Sequence, residues 1–239
     1  MTPILELDTV DSTNNYAMRL IDADTAESGL MILANAQTSG KGQRGKQWMS
    51  AAGESLLMSL ILRPNRTLQQ QTQFMAAVAV SVAKICEQNL SKIPVKIKWP
   101  NDIIIADKKA GGILIENMIR GTSWEWSVIG IGLNIQQQNF PKDLPFATSL
   151  AMYGAHVLEL KSLAIELREE ILAALASNRD FLSDFNGRLY QLNSQQLFRE
   201  NRQEFWGSVE GMNASGLLEI LLENGQKRSL VHGEAEWVW

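Results

Sequence analysis

The chain has 239 residues, 45% hydrophobic and 20% charged, with a formal charge of −4 at neutral pH. That is enough for one sizeable soluble domain with a small appendage, and it gives no global attraction to nucleic acid or to an anionic membrane. Cys86, the single cysteine, excludes an internal disulfide and suits a reducing compartment, while Cys86, His156 and His232 are too thin a set for an all-protein zinc site or a histidine-based triad.

In chain order, the start "MTPILELDTVDST" lacks the basic and apolar segments of a secretory signal, and no later apolar run is long enough to span a bilayer. A cytoplasmic location is expected. "STNNYAMRLIDAD" predicts a helix capped by Ser12, with Tyr16, Ala17, Leu20 and Ile21 on one face. "GLMILANAQ" and "ESLLMSLIL" predict buried strands. Between them lies a glycine-rich, basic segment, Gln37 to Trp48. "LQQQTQFMAAVAVSVAKICEQNL" predicts a long Ala-rich helix that buries Cys86 as a small hydrophobe.

"VKIKW", "DIIIA", "GGILIENMI" and "WEWSVIGIGLNI" then read as consecutive strands, with turn chemistry at Asp107–Gly112 and Arg120–Gly121. A second helical region is expected from about Lys161 to Tyr190. The tail, "EFWGSVEG", "GLLEILLE", "SLVHG" and "EAEWVW", predicts short strands of SH3-like size, with Trp206, Trp237 and Trp239 in a core or an interface. The class is α+β: a mixed, mainly antiparallel sheet with helices packed on it over residues 1–190, followed by a small SH3-like β-barrel domain over 191–239.

"QTSGKGQRGKQW" fits two nucleotide-binding patterns and fails both on context. A P-loop needs Ser or Thr after its lysine and then a helix; here Gln47 follows Lys46 and the next element reads as a strand. A dinucleotide fold needs an acid some 20 residues on, where this chain has Arg-Pro-Asn-Arg-Thr. The chemistry of the segment stands regardless. Gly40, Gly42 and Gly45 allow close backbone approach, Lys41, Arg44 and Lys46 supply charge, and Trp48 offers a face for a planar group. Taken alone, it is either an anion-binding loop or a solvated connection.

"KWPNDIIIADKKAGGILIE" places a second basic pair, Lys108 and Lys109, near a hairpin tip, with Asn101 and Asp102 after Pro100. "DSTNN", "QTSGKGQRGKQW", "KWPNDI", "DKKAGGILIE" and "VIGIGLNI", in this order and at this spacing, resemble the biotin protein ligase family (biotin–[acetyl-CoA-carboxylase] ligase) over about residues 8–135. The β-rich tail is similar to that family's small C-terminal domain.

The resemblance implies a ligase that joins biotin to ATP as biotinyl-5′-AMP and then transfers biotin to one lysine of a biotin carboxyl carrier protein. Magnesium would come with the nucleotide, with no metal held by protein side chains alone. Lys109, Lys41 and Asp102 are then the catalytic candidates: two cations against the reacting anions, and a carboxylate to orient or deprotonate the acceptor lysine. The biotin-binding set is Ser12, Thr13, Asn14, Gln37, Gly40, Lys41, Gly42, Gln43, Lys109 and Gly112. The ATP-binding set is Lys41, Gly42, Arg44, Trp48, Asn101 and Asn134. Lys108 is the solvated partner of Lys109, Glu116 shapes the strand beside it, and Gly130 and Gly132 bring backbone to the ligand.

Relatives often carry arginine where Lys41 and Gln43 stand, which bears on how tightly an adenylate is retained. The loop is expected to order over the adenylate. "DSTNN" beginning at position 11 leaves no room for the DNA-binding domain of some relatives, so no direct DNA contact is expected, and a homodimer through an exposed strand is left open. A lipoate–protein ligase and a non-catalytic biotin- or adenylate-binding module are the competing readings.

Overall fold

The computed structural model describes residues 3–155, 159–177 and 179–238. His156 and Trp239, named above, lie outside them. The first part of the chain runs β1 (Ile4–Val10), α1 (Thr13–Asp22), β2 (Met31–Gln37), β3 (Gly40–Lys41), β4 (Gln47–Trp48), β5 (Ser55–Leu62), α2 (Gln71–Gln88), β6 (Val95–Lys98), β7 (Asp102–Ile105), β8 (Lys108–Arg120) and β9 (Ser123–Asn134). Helices α3 (Leu160–Ala176) and α4 (Phe181–Gly187) follow, then β10 (Gln195–Glu200), β11 (Gln203–Met212), β12 (Leu218–Leu222), β13 (Lys227–Leu230) and β14 (Glu236–Trp237).

Seven strands form one sheet in the order β1-β2-β5-β9-β8-β7-β6. Only β1 and β2 pair in parallel there, so the sheet is mixed and mainly antiparallel, as expected. The expected β-rich tail is a five-stranded antiparallel sheet, β13-β12-β11-β10-β14. Two of its tryptophans part company: Trp237 is buried, whereas Trp206 is 47% exposed, which takes it out of the core and leaves only the interface of the two places expected for it. Strands β1 and β10 had no counterpart in the sequence reading.

The period of two along each strand sorts residues between two faces. In β5, Leu56, Met58 and Leu60 point toward α2 and α3, while Ile61 packs with Ala17 and Ile21 of α1. In β9, Ile129, Ile131 and Leu133 join the large core. That core continues without a break into the second sheet through Phe198, Val209, Leu218 and Ile220. Truncating one of these buried aliphatic side chains to alanine costs roughly 2–5 kcal/mol. Gly130 and Gly132 lie on the opposite face, the side of α1. The sheet is therefore padded by bulky side chains on one face and thinned by glycine on the other, and the thinned face carries the site.

Candidate active site

Three local devices build the site. Register places Lys98, Asp102, Gly112 and Gly132 side by side across β6, β7, β8 and β9. Ala106 and Asp107, at φ 44° and 62°, make a two-residue turn between β7 and β8, so Lys108 and Lys109 already stand in the strand, not at the hairpin tip the sequence suggested. The pairing then slips between Ile103 and Ile104, leaving Ala110 as the extra residue of a bulge. Strict alternation would put Lys109 and Gly112 on opposite faces; the bulge returns Lys109 to the face of Gly112. Its Nζ lies 2.6 Å from Asp102 Oδ1. Lys108 stays out of the cavity.

The glycine segment folds as a hairpin ribbon. β3 pairs with β4, Gly42 N–H donates to Lys46 O (2.7 Å), and Arg44 takes the left-handed conformation at φ 56°. The ribbon ends in Trp48, whose indole lies on the thinned face of the sheet. A Cβ on Gly132 would come within 2.7 Å of Trp48 Cε2, so glycine there makes the seat of the ring. Lys109 Nζ is 6.0 Å from the Trp48 ring centre.

The N-terminus of α1 supplies the third device. Ser12 caps the helix, its Oγ accepting from Asn15 N–H at 3.5 Å. Gln37 Oε1 accepts from Thr13 N–H (2.8 Å) and Thr13 Oγ1–H (3.2 Å). The Ser59 hydroxyl donates to Asn14 Oδ1 (2.6 Å) and lies 2.7 Å from Thr13 Oγ1. Asn14 Nδ2 donates to Glu116 Oε2 (2.8 Å), and Glu116 Oε1 meets Lys41 Nζ at 3.1 Å. A chain of polar contacts thus links the glycine ribbon to the buried cradle of Ser12, Thr13, Asn14 and Ser59.

One cavity of about 800 Å³ takes in these parts. Lys41, Lys109 and Asp102 line it together, as do Ser12, Thr13, Asn14, Gln37, Gly42, Gln43, Arg44, Trp48, Asn101, Gly112 and Asn134. Gly40 alone of the candidates does not; it packs beneath, against Trp48 backbone and the Gln37 side chain. Two candidates spend polar groups on the scaffold: Asn101 Nδ2 donates to Ile113 O (2.6 Å) and Asn134 Nδ2 to Thr148 O (2.9 Å). Two others have buried polar atoms without a hydrogen-bond partner among the described residues, the Trp48 indole N–H and Gln43 Oε1.

Several wall residues escaped the sequence reading. Ser59, fully buried behind that wall, shares one face of an otherwise apolar strand with Ser55 and bonds to Thr13 and Asn14. Phe140 and Leu144 come from the loop after β9, which is pinned to the lysine strand by Lys109 N–H donating to Phe146 O (2.7 Å). Lys98, almost buried, donates to Trp237 O at 3.3 Å. Burial pushes its ammonium down to about 7, against the pull of Asp102. His232 stands edge-on to Trp99, with ring centres 5.6 Å apart; desolvation and then the charge of Arg44 lower its pKa.

This geometry has known counterparts. Residues 6–134 match the model of the Biotin/lipoate A/B protein ligase family. The chain belongs to that family. Like its relatives it is a ligase. It is 30% identical over 232 residues to the bifunctional ligase/repressor BirA of Bacillus subtilis strain 168, covering 92% of this chain and 70% of that one. To the biotin–[acetyl-CoA-carboxylase] ligase of Mycobacterium tuberculosis it is 26% identical over 191 residues, 77% of this chain and 70% of that one. Among solved structures, the biotin protein ligase of Aquifex aeolicus in complex with biotin and ATP superposes with a TM-score of 0.80 at 25% identity, covering 99% of this chain and 98% of that one.

Proposed function

We propose that this ligase is a biotin–protein ligase, with residues 1–190 as the catalytic unit and 191–239 as a smaller β domain beside it. In the first step a biotin carboxylate oxygen attacks the α-phosphorus of ATP. The bond from that phosphorus to the bridging oxygen breaks, and pyrophosphate leaves with the electron pair. In the second step the ε-amine of one lysine on a biotin carboxyl carrier protein attacks the acyl carbon of biotinyl-5′-AMP. The carbon–oxygen bond to phosphate breaks, AMP leaves, and the amine gives up a proton.

The single observation that carries the reading is the shared cavity, where a buried neutral cradle adjoins a cationic wall. The head of biotin is an apolar bicycle with a ureido group, two N–H donors and one carbonyl. Ser12, Thr13 and Gln37 offer neutral partners for it without the desolvation cost that a buried charge would carry. Bringing a carboxylate to a phosphate sets two anions against each other, and fixed ammonium groups lower that barrier. Lys109 and Lys41 are the cations for this task. Asp102, 2.6 Å from Lys109, orients it in the first step and is the candidate to take the acceptor amine's proton in the second.

Among the described residues no three His, Cys, Asp or Glu side chains gather as a cation site, and Asp102 and Glu116 are each paired with a lysine. In this scheme magnesium comes with the nucleotide, as part of the substrate. Incubating the protein with ATP and either biotin or lipoate, followed by mass spectrometry, tests the reading. Biotinyl-AMP, and a carrier domain heavier by one biotinyl group, are expected. Lipoyl-AMP would reassign the chain within its family, and binding without any adenylate would make it a non-catalytic module.

A further inference from the structure

The C-terminal sheet reaches back to both halves of the site. On the Lys98–Asp102 turn, Trp99 Nε1–H donates to Gly216 O (3.0 Å), Lys98 Nζ donates to Trp237 O (3.3 Å), and His232 abuts the Trp99 ring. On the glycine ribbon the contact is made between Arg44 and Gly233. Arg44 Nη1 donates to Gly233 O at 3.1 Å across 189 positions of sequence. Both backbones are left-handed there, at φ 56° and 87°. The guanidinium also packs on Gly233, so that a Cβ at that position would stand 2.7 Å from Arg44 Nε and closer still to Cζ and Nη1. No side chain beyond glycine fits beneath the arginine as it lies.

We infer that the C-terminal sheet braces the glycine ribbon against the Lys98–Asp102 turn, and that Gly233 is the positioning residue of that brace. Gln43 contributes no charge at the tip of the ribbon. Arg44 provides the hold, through the Gly233 carbonyl in the loop between β13 and β14. The pair sets how long the cavity stays covered, and through that how much acyl-adenylate is transferred before it escapes. This last consequence rests on the proposed reaction; the brace itself does not.

Hydrogen exchange of amides 40–48 in the wild type, Gly233→Asn, Arg44→Ala and the double variant tests the brace. Asparagine tolerates a left-handed backbone, so it places a Cβ in the guanidinium's position with little added strain. Arg44 is exposed, so Arg44→Ala serves should Gly233→Asn fail to fold. Each single substitution should speed exchange of the ribbon by about tenfold, the scale of a charge-assisted hydrogen bond, while β5 and β9 stay protected. The double variant should exchange no faster than the faster single one. With biotin, ATP and a carrier domain, Gly233→Asn should also raise the ratio of free biotinyl-AMP to transferred biotin. Unchanged ribbon exchange in the single variants, or effects that multiply in the double one, overturns the brace. A wild type that forms no adenylate counts against the proposed reaction, and the exchange data then decide the brace alone.

Discussion

The two ends of the cavity are built to different rules. At the cradle, Thr13, Asn14 and Ser59 are buried, neutral and bonded to one another or to Gln37. At the cationic wall, Lys109 with Asp102 and Lys41 with Glu116 are ion pairs whose side chains keep between 23% and 40% of their surface. A buried neutral network is costly to disturb because any orphaned atom has no water to turn to. Partly solvated ion pairs exchange partners cheaply. The first arrangement suits recognition of a fixed shape; the second suits charges that change through a reaction.

Breaking the cationic wall should have the largest effect on turnover. Lys109→Met removes the ammonium group at a partly exposed site and should leave the fold intact. It should raise the barrier to adenylation by roughly 3 kcal/mol, about a hundredfold or more in pyrophosphate release. A loss below about threefold would take Lys109 out of the chemistry.

The cradle should break in the opposite way, through stability. Ser59→Ala leaves Asn14 Oδ1 without its donor in a site closed to solvent. The expected cost is about 1–3 kcal/mol in unfolding free energy by urea titration, with weaker biotin binding in proportion. Full stability in this variant would mean that the network relaxes around the gap.

Why Lys109 was legible in the sequence and Ser59 was not follows from the same contrast. The cationic wall is made of short motifs, and their glycines and charges are unusual enough to read locally. Its aim was not legible, because the Ala110 bulge that turns Lys109 inward is a matter of pairing between strands. Ser59 sits in an apolar strand and gains its meaning only when α1 arrives on the same face. β10 is a strand because β11 and β14 flank it, although "QQLFRE" has little alternation of its own. Ala106 occupies a left-handed turn position that no residue preference points to. Gly233 and Arg44 are separated by nearly the whole chain. Periodicity carried most helices and strands, while contacts across elements carried the rest.

Lys98 sharpens the comparison because it is a charge treated as the cradle treats its groups, by burial. Its ordinary pKa of 10.5 is pushed down to about 7, first by desolvation, with Asp102 and Glu236 opposing the shift and Lys109 and Lys46 adding to it. The unfolded lysine holds its proton up to about 10.5 and the folded one releases it near 7, so unfolding takes up a proton between those values. Stability should climb with pH across that window, by at most about 1.4 kcal/mol per unit from this residue. Urea midpoints at pH 7, 8 and 9 should show the rise in the wild type and a flatter line in Lys98→Met. Equal slopes would mean that Lys98 titrates as an exposed lysine does.

The smallest effect on stability is expected at Lys41 and Glu116, and it separates the two ends most cleanly. Both side chains are partly exposed, so neither Lys41→Gln nor Glu116→Gln should change the unfolding free energy by more than about 1 kcal/mol, less at high salt. Their effects on the nucleotide should differ in sign. Lys41→Gln removes a cation from the wall and should raise KM for ATP. Glu116→Gln keeps an acceptor for Asn14 Nδ2, so the cradle is preserved, but it frees the Lys41 ammonium from its counter-charge and should lower KM for ATP. If both variants shift KM in the same direction, Glu116 acts on the cradle more than on the charge, and the two ends are less independent than their construction implies.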